Sequence, residues 1–173
     1  RGGTSASCRP MSAAPDLPTA AWDRPHPFVR PVAPQPQDID GLEHTNNAVY
    51  LQCCERVAWA HSEALGLGLA DYRRLDRAMA IRRGEYDHLL PTLLGDELLL
   101  GTWLLPGDAR MRMERRFQLL RPRDGATVLR ARWELVCIEI SSGRARRMPA
   151  EFTAAYLGQG QGLFPGIDEP AGR

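Results

Sequence analysis

The sequence predicts an α+β fold, one long early helix wrapped by an antiparallel sheet, on three observations. From Asn46, apolar positions recur every three or four residues through Tyr50, Cys53, Cys54, Val57, His61, Ala64 and Leu65, which is the period of a helix face. Downstream, residues alternate with period two, as half-buried strands do. The joints at 106–108, 124–125 and 141–143 are rich in Pro, Gly, Asp and Ser and are short enough to be hairpin turns. A helix followed by hairpin-linked strands buries its apolar face only if the sheet curls around it.

The elements follow in order. Residues 1–24 are rich in Ala, Ser, Pro and Gly without a sustained apolar period, so a mobile leader is expected there. "PHPFVRPVAPQPQ" (25–37) is extended, but its prolines withhold ladder hydrogen bonds and restrict it to an edge strand or an arm. The helix then begins at Thr45 or Asn46, either of which can cap it, and ends at Gly66 or Gly68. Its other side carries Val49, Leu51, Ala58 and Trp59, so burial on more than one face is expected.

After a polar, arginine-rich connection come "AMAIRRGEYDHLL", "DELLLGTWLL", "ARMRMERRFQLL" and "TVLRARWELVCIEI", all strand-like. In the third, Met111, Met113, Arg115, Phe117 and Leu119 alternate against Arg110, Arg112, Glu114, Arg116 and Gln118. "SSGR" turns the chain toward a final segment, "PAEFTAAYL", and residues 158–173 read as a flexible tail. The folded domain is therefore expected over residues 25–157, with about five strands.

Composition narrows the function. With 43 % hydrophobic residues in 173, the chain can bury one domain core. A net charge of +1 offers no overall attraction to nucleic acid or to a membrane surface. All 22 basic residues are arginine, which excludes a Schiff-base or P-loop lysine. The four cysteines, Cys8, Cys53, Cys54 and Cys137, form no CxxC pair and no zinc-like spacing, so a reducing, cytoplasmic setting is expected. No metal and no cofactor is expected. There is no apolar run of membrane-spanning length and no signal-peptide pattern at the start of the sequence.

The chemistry-bearing stretch is "DIDGLEHTNN", residues 38–47. A helix N-terminus leaves backbone N–H groups unpaired and carries partial positive charge, so acids placed before it stabilise the helix end. The same N–H groups, near Asn46 and Asn47, can stabilise an oxyanion developing on a thioester or ester carbonyl, worth roughly 2.7–4 kcal/mol per donor. A carboxylate from Asp40 can then attack the carbonyl carbon or activate a water. His44 can orient substrate or shuttle a proton through its two ring nitrogens.

"DIDGLEHTNNAVYLQCCERV" resembles the signature of the hot-dog-fold acyl-CoA thioesterases of the 4-hydroxybenzoyl-CoA thioesterase type. In that signature an Asp-x-Asp precedes Gly-His-x-Asn-Asn, then Tyr-Leu and a glutamate on the central helix. "PTLLGDEL" and "SSGRARRMPAEF" resemble the family's later Pro/Gly-Asp and Gly-Arg/Pro segments, in order. The resemblance spans about residues 25–155. It implies a hot-dog fold, a long central helix wrapped by a curved antiparallel sheet, and hydrolysis of an acyl-CoA without metal. It also implies a homodimer, or a tetramer built from dimers, with sites at the subunit interface.

By the same resemblance Asp40 matches the catalytic carboxylate, and Asn46 and Asn47 match the helix start that polarises the carbonyl. Tyr50 and Glu55 match positions that line or buttress the site. Glu43 stands where the family has glycine, so either the pocket is reshaped, Glu43 has taken a role, or activity is weakened. Residues 109–150 hold eleven arginines against four acids, and Arg144, Arg146 and Arg147 are the candidates for coenzyme A phosphate contact. Two alternatives share the scaffold: an acyl-CoA-binding module without turnover, and a hydratase or dehydratase using His44.

Overall fold

The computed structural model describes residues 21–108 and 110–158. Most of the expected leader and all but Gly158 of the expected tail therefore lie outside the described residues. Strand β1 (Phe28–Val32) leads through a 3-10 turn (Pro36–Asp38) to helix α1 (Asn47–Ala64), short helix α2 (Leu69–Leu75), strands β2 (Arg77–His88), β3 (Leu98–Pro106), β4 (Arg112–Arg121) and β5 (Ala126–Glu139), and helix α3 (Ala150–Leu157). The strands form one antiparallel sheet in the order β1-β3-β4-β5-β2. Its two irregularities, at Ile81/Arg83 and Leu119/Leu120, fall where β-bulges bend and twist a sheet.

Alternation dictates the core. Met113, Phe117 and Leu119 of β4 and Leu129, Ala131, Trp133, Leu135 and Cys137 of β5 face Tyr50, Cys53, Cys54 and Val57 of α1. Adjacent Cys53 and Cys54 are both buried, because neighbouring helix positions can share a wide apolar face. On the other side of α1, Val49 and Ala58 are half-buried against the core while Leu51 and Trp59 stay exposed, so within this chain the second side is only partly covered.

On the outer face of the sheet, Glu114, Glu134 and Glu85 bind Arg116, Arg132, Arg82 and Arg83. Residues 21–25 pack across that face: Asp23 pairs with Arg130, Trp22 meets Trp103 edge-on, and buried Gln118 bonds the backbone at Ala21 and Asp23.

The proline-rich segment is an edge strand, β1, paired only with β3. Two elements differ from the sequence reading. The arginine-rich connection contains α2, whose Gly68 N–H is bonded by Asp71 and whose Tyr72 is buried. "PAEFTAAYL" is α3, which stacks Phe152 and Tyr156 against Tyr72 and closes the far end of α1.

Candidate active site

Local chemistry shapes the turn before α1. Asp40 Oδ1 accepts from the N–H of Leu42 (2.8 Å) and His44 (3.4 Å), while the Asp40 N–H donates to the His44 carbonyl (2.8 Å). This Asx-type loop reverses the chain in five residues. Glu43 sits within it at φ +62°, the left-handed region that glycine adopts without a Cβ penalty. That conformation is a physical reason for glycine at this position, and Glu43 adopts it at a cost in strain.

The next residues start the helix. Asn46 is its N-cap, with Oδ1 accepting from the Ala48 N–H at 2.9 Å. The Asn47 N–H has no acceptor among the described residues. Behind this turn a buried hydroxyl chain runs from Tyr50 Oη to Thr92 Oγ1 (2.8 Å) and on to Thr45 Oγ1 (2.7 Å), and the Thr92 carbonyl accepts from the Thr45 N–H (2.9 Å). Thr92 is held in turn by its own loop, where buried Asp96 accepts from the Leu93 N–H and pairs with Arg123 at 2.7 Å.

A cleft of about 500 Å³ opens at this helix end, lined by Asp40, His44, Asn46, Asn47, Tyr50 and His88, together with the backbone turn around Thr45 and residues 89–91. Five of the predicted site residues thus share one opening. His88 joins them, its ring 5.5 Å from that of Tyr50. Sequence reasoning missed His88 and Thr92, whose segment is brought to the helix start by the long-range bonds of Thr92 to Thr45 and Tyr50.

Three other predictions fall elsewhere. Glu43 is exposed in the loop and Glu55 is exposed along α1, where it lines a separate cavity and forms no ion pair among the described residues. Arg144, Arg146 and Arg147 follow β5. The Arg146 N–H bonds the Cys137 carbonyl, and Cys137 is eight residues along β5 from Leu129, the partner of His88, so they are about 27 Å from the cleft along the strand. Arg146 pairs with Glu139 at 3.4 Å, whereas Arg144 and Arg147 make no ion pair among the described residues. No cluster of three or more His, Cys, Asp or Glu that could hold a metal occurs among the described residues.

A helix held in the curve of a five-stranded antiparallel sheet, with an acidic turn at its N-terminus, defines a hot-dog protein of the thioesterase class. The model of the thioesterase-like superfamily matches residues 34–156, and the chain belongs to that family. Its chemistry is accordingly that of thioester hydrolysis. No curated protein sequence matches the chain.

Solved structures agree in fold. A 1,4-dihydroxy-2-naphthoyl-CoA thioesterase from Synechocystis is 20 % identical, with TM-score 0.69 over 76 % of this chain and 96 % of that one. A hypothetical protein from Staphylococcus aureus, solved in complex with CoA, is 19 % identical with TM-score 0.73 over 84 % and 90 %. A thioesterase from Thermus thermophilus, complexed with coenzyme A and Zn, is 24 % identical with TM-score 0.62 over 75 % and 91 %.

Proposed function

We propose that the protein hydrolyses an acyl-CoA thioester to the free carboxylic acid and CoA, with Asp40 as the reacting carboxylate and the first turn of α1 as the oxyanion hole. The observation that carries this reading is the shared cleft: a fixed carboxylate and an unsatisfied helix N–H line one opening. Asp40 Oδ1 is held by two backbone N–H groups, while Oδ2 has no partner among the described residues. Oδ2 is therefore the oxygen free to react.

Two routes use this arrangement. As nucleophile, Oδ2 bonds to the thioester carbon, the C–S bond breaks, CoA departs as thiolate and takes a proton, and water then cleaves the acyl-aspartyl anhydride. As general base, Oδ2 removes a proton from a water that attacks the same carbon, and the proton passes to the departing sulfur. Either way the carbonyl oxygen gains negative charge, and the Asn47 N–H with its helix dipole stabilises it. Tyr50 shapes the wall of the cleft, and its hydroxyl, bonded to Thr92, braces the turn. Neither route requires a metal or cofactor, and coenzyme A enters as part of the substrate.

The proposal extends to assembly and setting. β2 is an edge strand of twelve residues, bonded on one side only. A two-fold antiparallel pairing along that edge, making a homodimer or a tetramer of dimers, sets the Arg77 end of one copy beside the His88 end of the other. The loop of Arg144, Arg146 and Arg147 in one protomer then approaches the cleft of its partner, where coenzyme A phosphates would lie. The buried thiols of Cys54 and Cys137, which form no disulfide among the described residues, suit a reducing cytoplasm. Among the described residues no helix is long and apolar enough to cross a membrane.

Asp40→Asn tests the chemistry. Asparagine keeps an Oδ1 acceptor for the two loop N–H groups, so the turn survives while the reactive charge is lost. Thiol release from short, long and aromatic acyl-CoAs is expected to fall by roughly 10²–10⁴-fold with the melting temperature unchanged. Undiminished hydrolysis in this variant would remove Asp40 from the mechanism.

A further inference from the structure

Arg115 stands on the apolar register of β4, between Met113 and Phe117, and is 3 % exposed. Its Nη1 donates to His61 Nδ1 at 3.1 Å, and it forms no ion pair with any carboxylate among the described residues. An isolated buried charge is among the costliest features a fold can carry, so its counter-charge must come from somewhere.

The neighbours do not supply it. Burial, with the adjacent Arg115, pushes His61 down to about 4, so at neutral pH it is an uncharged acceptor. Burial pushes Arg115 itself down only to about 10, which leaves it cationic. The hydroxyls nearby satisfy one another: Tyr72 and Tyr156 share a hydrogen bond, Tyr156 Oη donates to Ser62 Oγ (3.0 Å), and Ser62 Oγ donates to the Ala58 carbonyl (3.1 Å). Burial raises the Tyr72 pKa, so that phenol stays protonated.

The guanidinium opens instead into a cavity of about 260 Å³ between α1 and strands β2, β4 and β5. No fully buried side-chain nitrogen or oxygen among the described residues lacks a partner, so the unpaired N–H groups of Arg115 are those that reach this space. Trp59, Met79, Met113, Trp133 and Leu135 form its apolar walls, and exposed Glu55 stands at its rim. The cavity shares no lining residue with the catalytic cleft.

We propose that this cavity is a binding site for a small apolar carboxylate, whose oxygens pair with the Arg115 guanidinium and whose hydrocarbon body packs on Met79, Met113 and Trp133. A guanidinium fork matches a carboxylate in geometry and charge. The apolar walls disfavour a strongly hydrated inorganic anion. The volume is below the roughly 300–1,000 Å³ of pockets that enclose a drug-sized ligand, so a small acid or one end of a longer molecule fits, and a nucleotide does not. The carboxylate has two possible sources: a free acid from solvent, or the far end of an acyl group held in the catalytic cleft. From Tyr50, which lines the cleft, to Glu55 at the rim the helix rises only about 7.5 Å.

The test has two arms, and only the second rests on the thioesterase reading. In the first, the full chain is titrated with benzoate and hexanoate, against benzamide and hexanamide as neutral isosteres, by calorimetry and thermal denaturation. The acids are expected to bind and raise the melting temperature, and the amides to do neither. Arg115→Met is expected to weaken acid binding at least tenfold, about what losing a charged hydrogen bond in a dry site does. Glu55→Gln, which removes a negative charge from the rim, is expected to tighten it about threefold. In the second arm, a six-carbon acyl-CoA ending in a carboxylate is compared with hexanoyl-CoA. A KM about tenfold lower for the charged chain, lost in Arg115→Met, assigns the site to the substrate's own tail. Acid binding without that preference assigns it to a free acid.

Acids that bind no better than amides, together with no charged-chain preference, overturn the site, as does acid binding unchanged in Arg115→Met. Should Arg115→Met fail to fold, the contrast between acid and amide and the effect of Glu55→Gln decide the matter. Asp40→Asn reports separately on the thioesterase chemistry, so failure of one reading is distinct from failure of the other.

Discussion

At the scale of single residues, the turn before α1 shows how capping and catalysis draw on one set of groups. Unpaired N–H groups and partial positive charge favour Asp40 where it stands, and the same properties favour an oxyanion beside it. Glu43 carries the cost of that tight turn. A non-glycine residue in the left-handed region is strained by about 1–2 kcal/mol, and glycine's extra freedom in the unfolded chain returns about half of that. Glu43→Gly is therefore expected to stabilise the protein by about 0.5–1 kcal/mol, read as a higher denaturant midpoint at unchanged slope. A loss of stability would show instead that the Glu43 side chain holds the turn. Asp40, His44, Asn46, Asn47 and Tyr50 were legible because they lie close together in sequence at a helix start. His88 was not, since a lone histidine at a strand end carries no local pattern. Arg115 was visible on its alternating face, but alternation alone says nothing about whether a buried charge has a partner.

At the scale of elements, period and turn chemistry located α1 and the five strands because those signals are local. α2 and α3 were missed because each is short, and each gains its stability from tertiary contact among Tyr72, Phe152 and Tyr156 rather than from a sustained apolar stripe. Glu55 lies outside the cleft for a geometric reason: five residues past Tyr50 on a helix, it is turned by about 140° from it. The segment before β1 shows a different kind of element, an arm fixed by close approach. Trp22 lies so near the β3 backbone that a Cβ on Gly101 would be 2.6 Å from its ring. Gly101→Ala is expected to displace the Trp22 ring and loosen the Trp103 Nε1 bond to the Pro25 carbonyl, 2.9 Å in the native fold. Stability should fall by about 1 kcal/mol, with tryptophan emission shifted to the red and more readily quenched. Unchanged emission would place the arm's attachment elsewhere, in the Asp23–Arg130 pair and the Gln118 bonds.

At the scale of the whole molecule, the sequence predicts burial on more than one face of α1, and a single chain covers the second only in part, at Val49 and Ala58. Leu51, Trp59 and Ile81 are exposed along the α1–β2 side, and Leu89, Leu90, Leu93 and Leu94 are exposed in the loop beyond β2. Apolar surface next to an unpaired strand edge is a combination that soluble folds cover, because the edge's free N–H and C=O groups template further pairing. Sequence alone could not show this, since an apolar residue reads the same whether its own chain or a second copy buries it. A two-fold pairing of β2 strands satisfies the edge and places Ile81 in or beside the joint. The native chain is therefore expected to sediment as a dimer or tetramer at micromolar concentration. Ile81→Arg, by placing a charge at an apolar contact, is expected to shift it toward monomer. If the arginine loop of one protomer serves the cleft of the other, thioester hydrolysis by this variant should rise with protein concentration, following the fraction of dimer. Full activity in a monomeric Ile81→Arg protein would show that the cleft at Asp40 is complete within one chain.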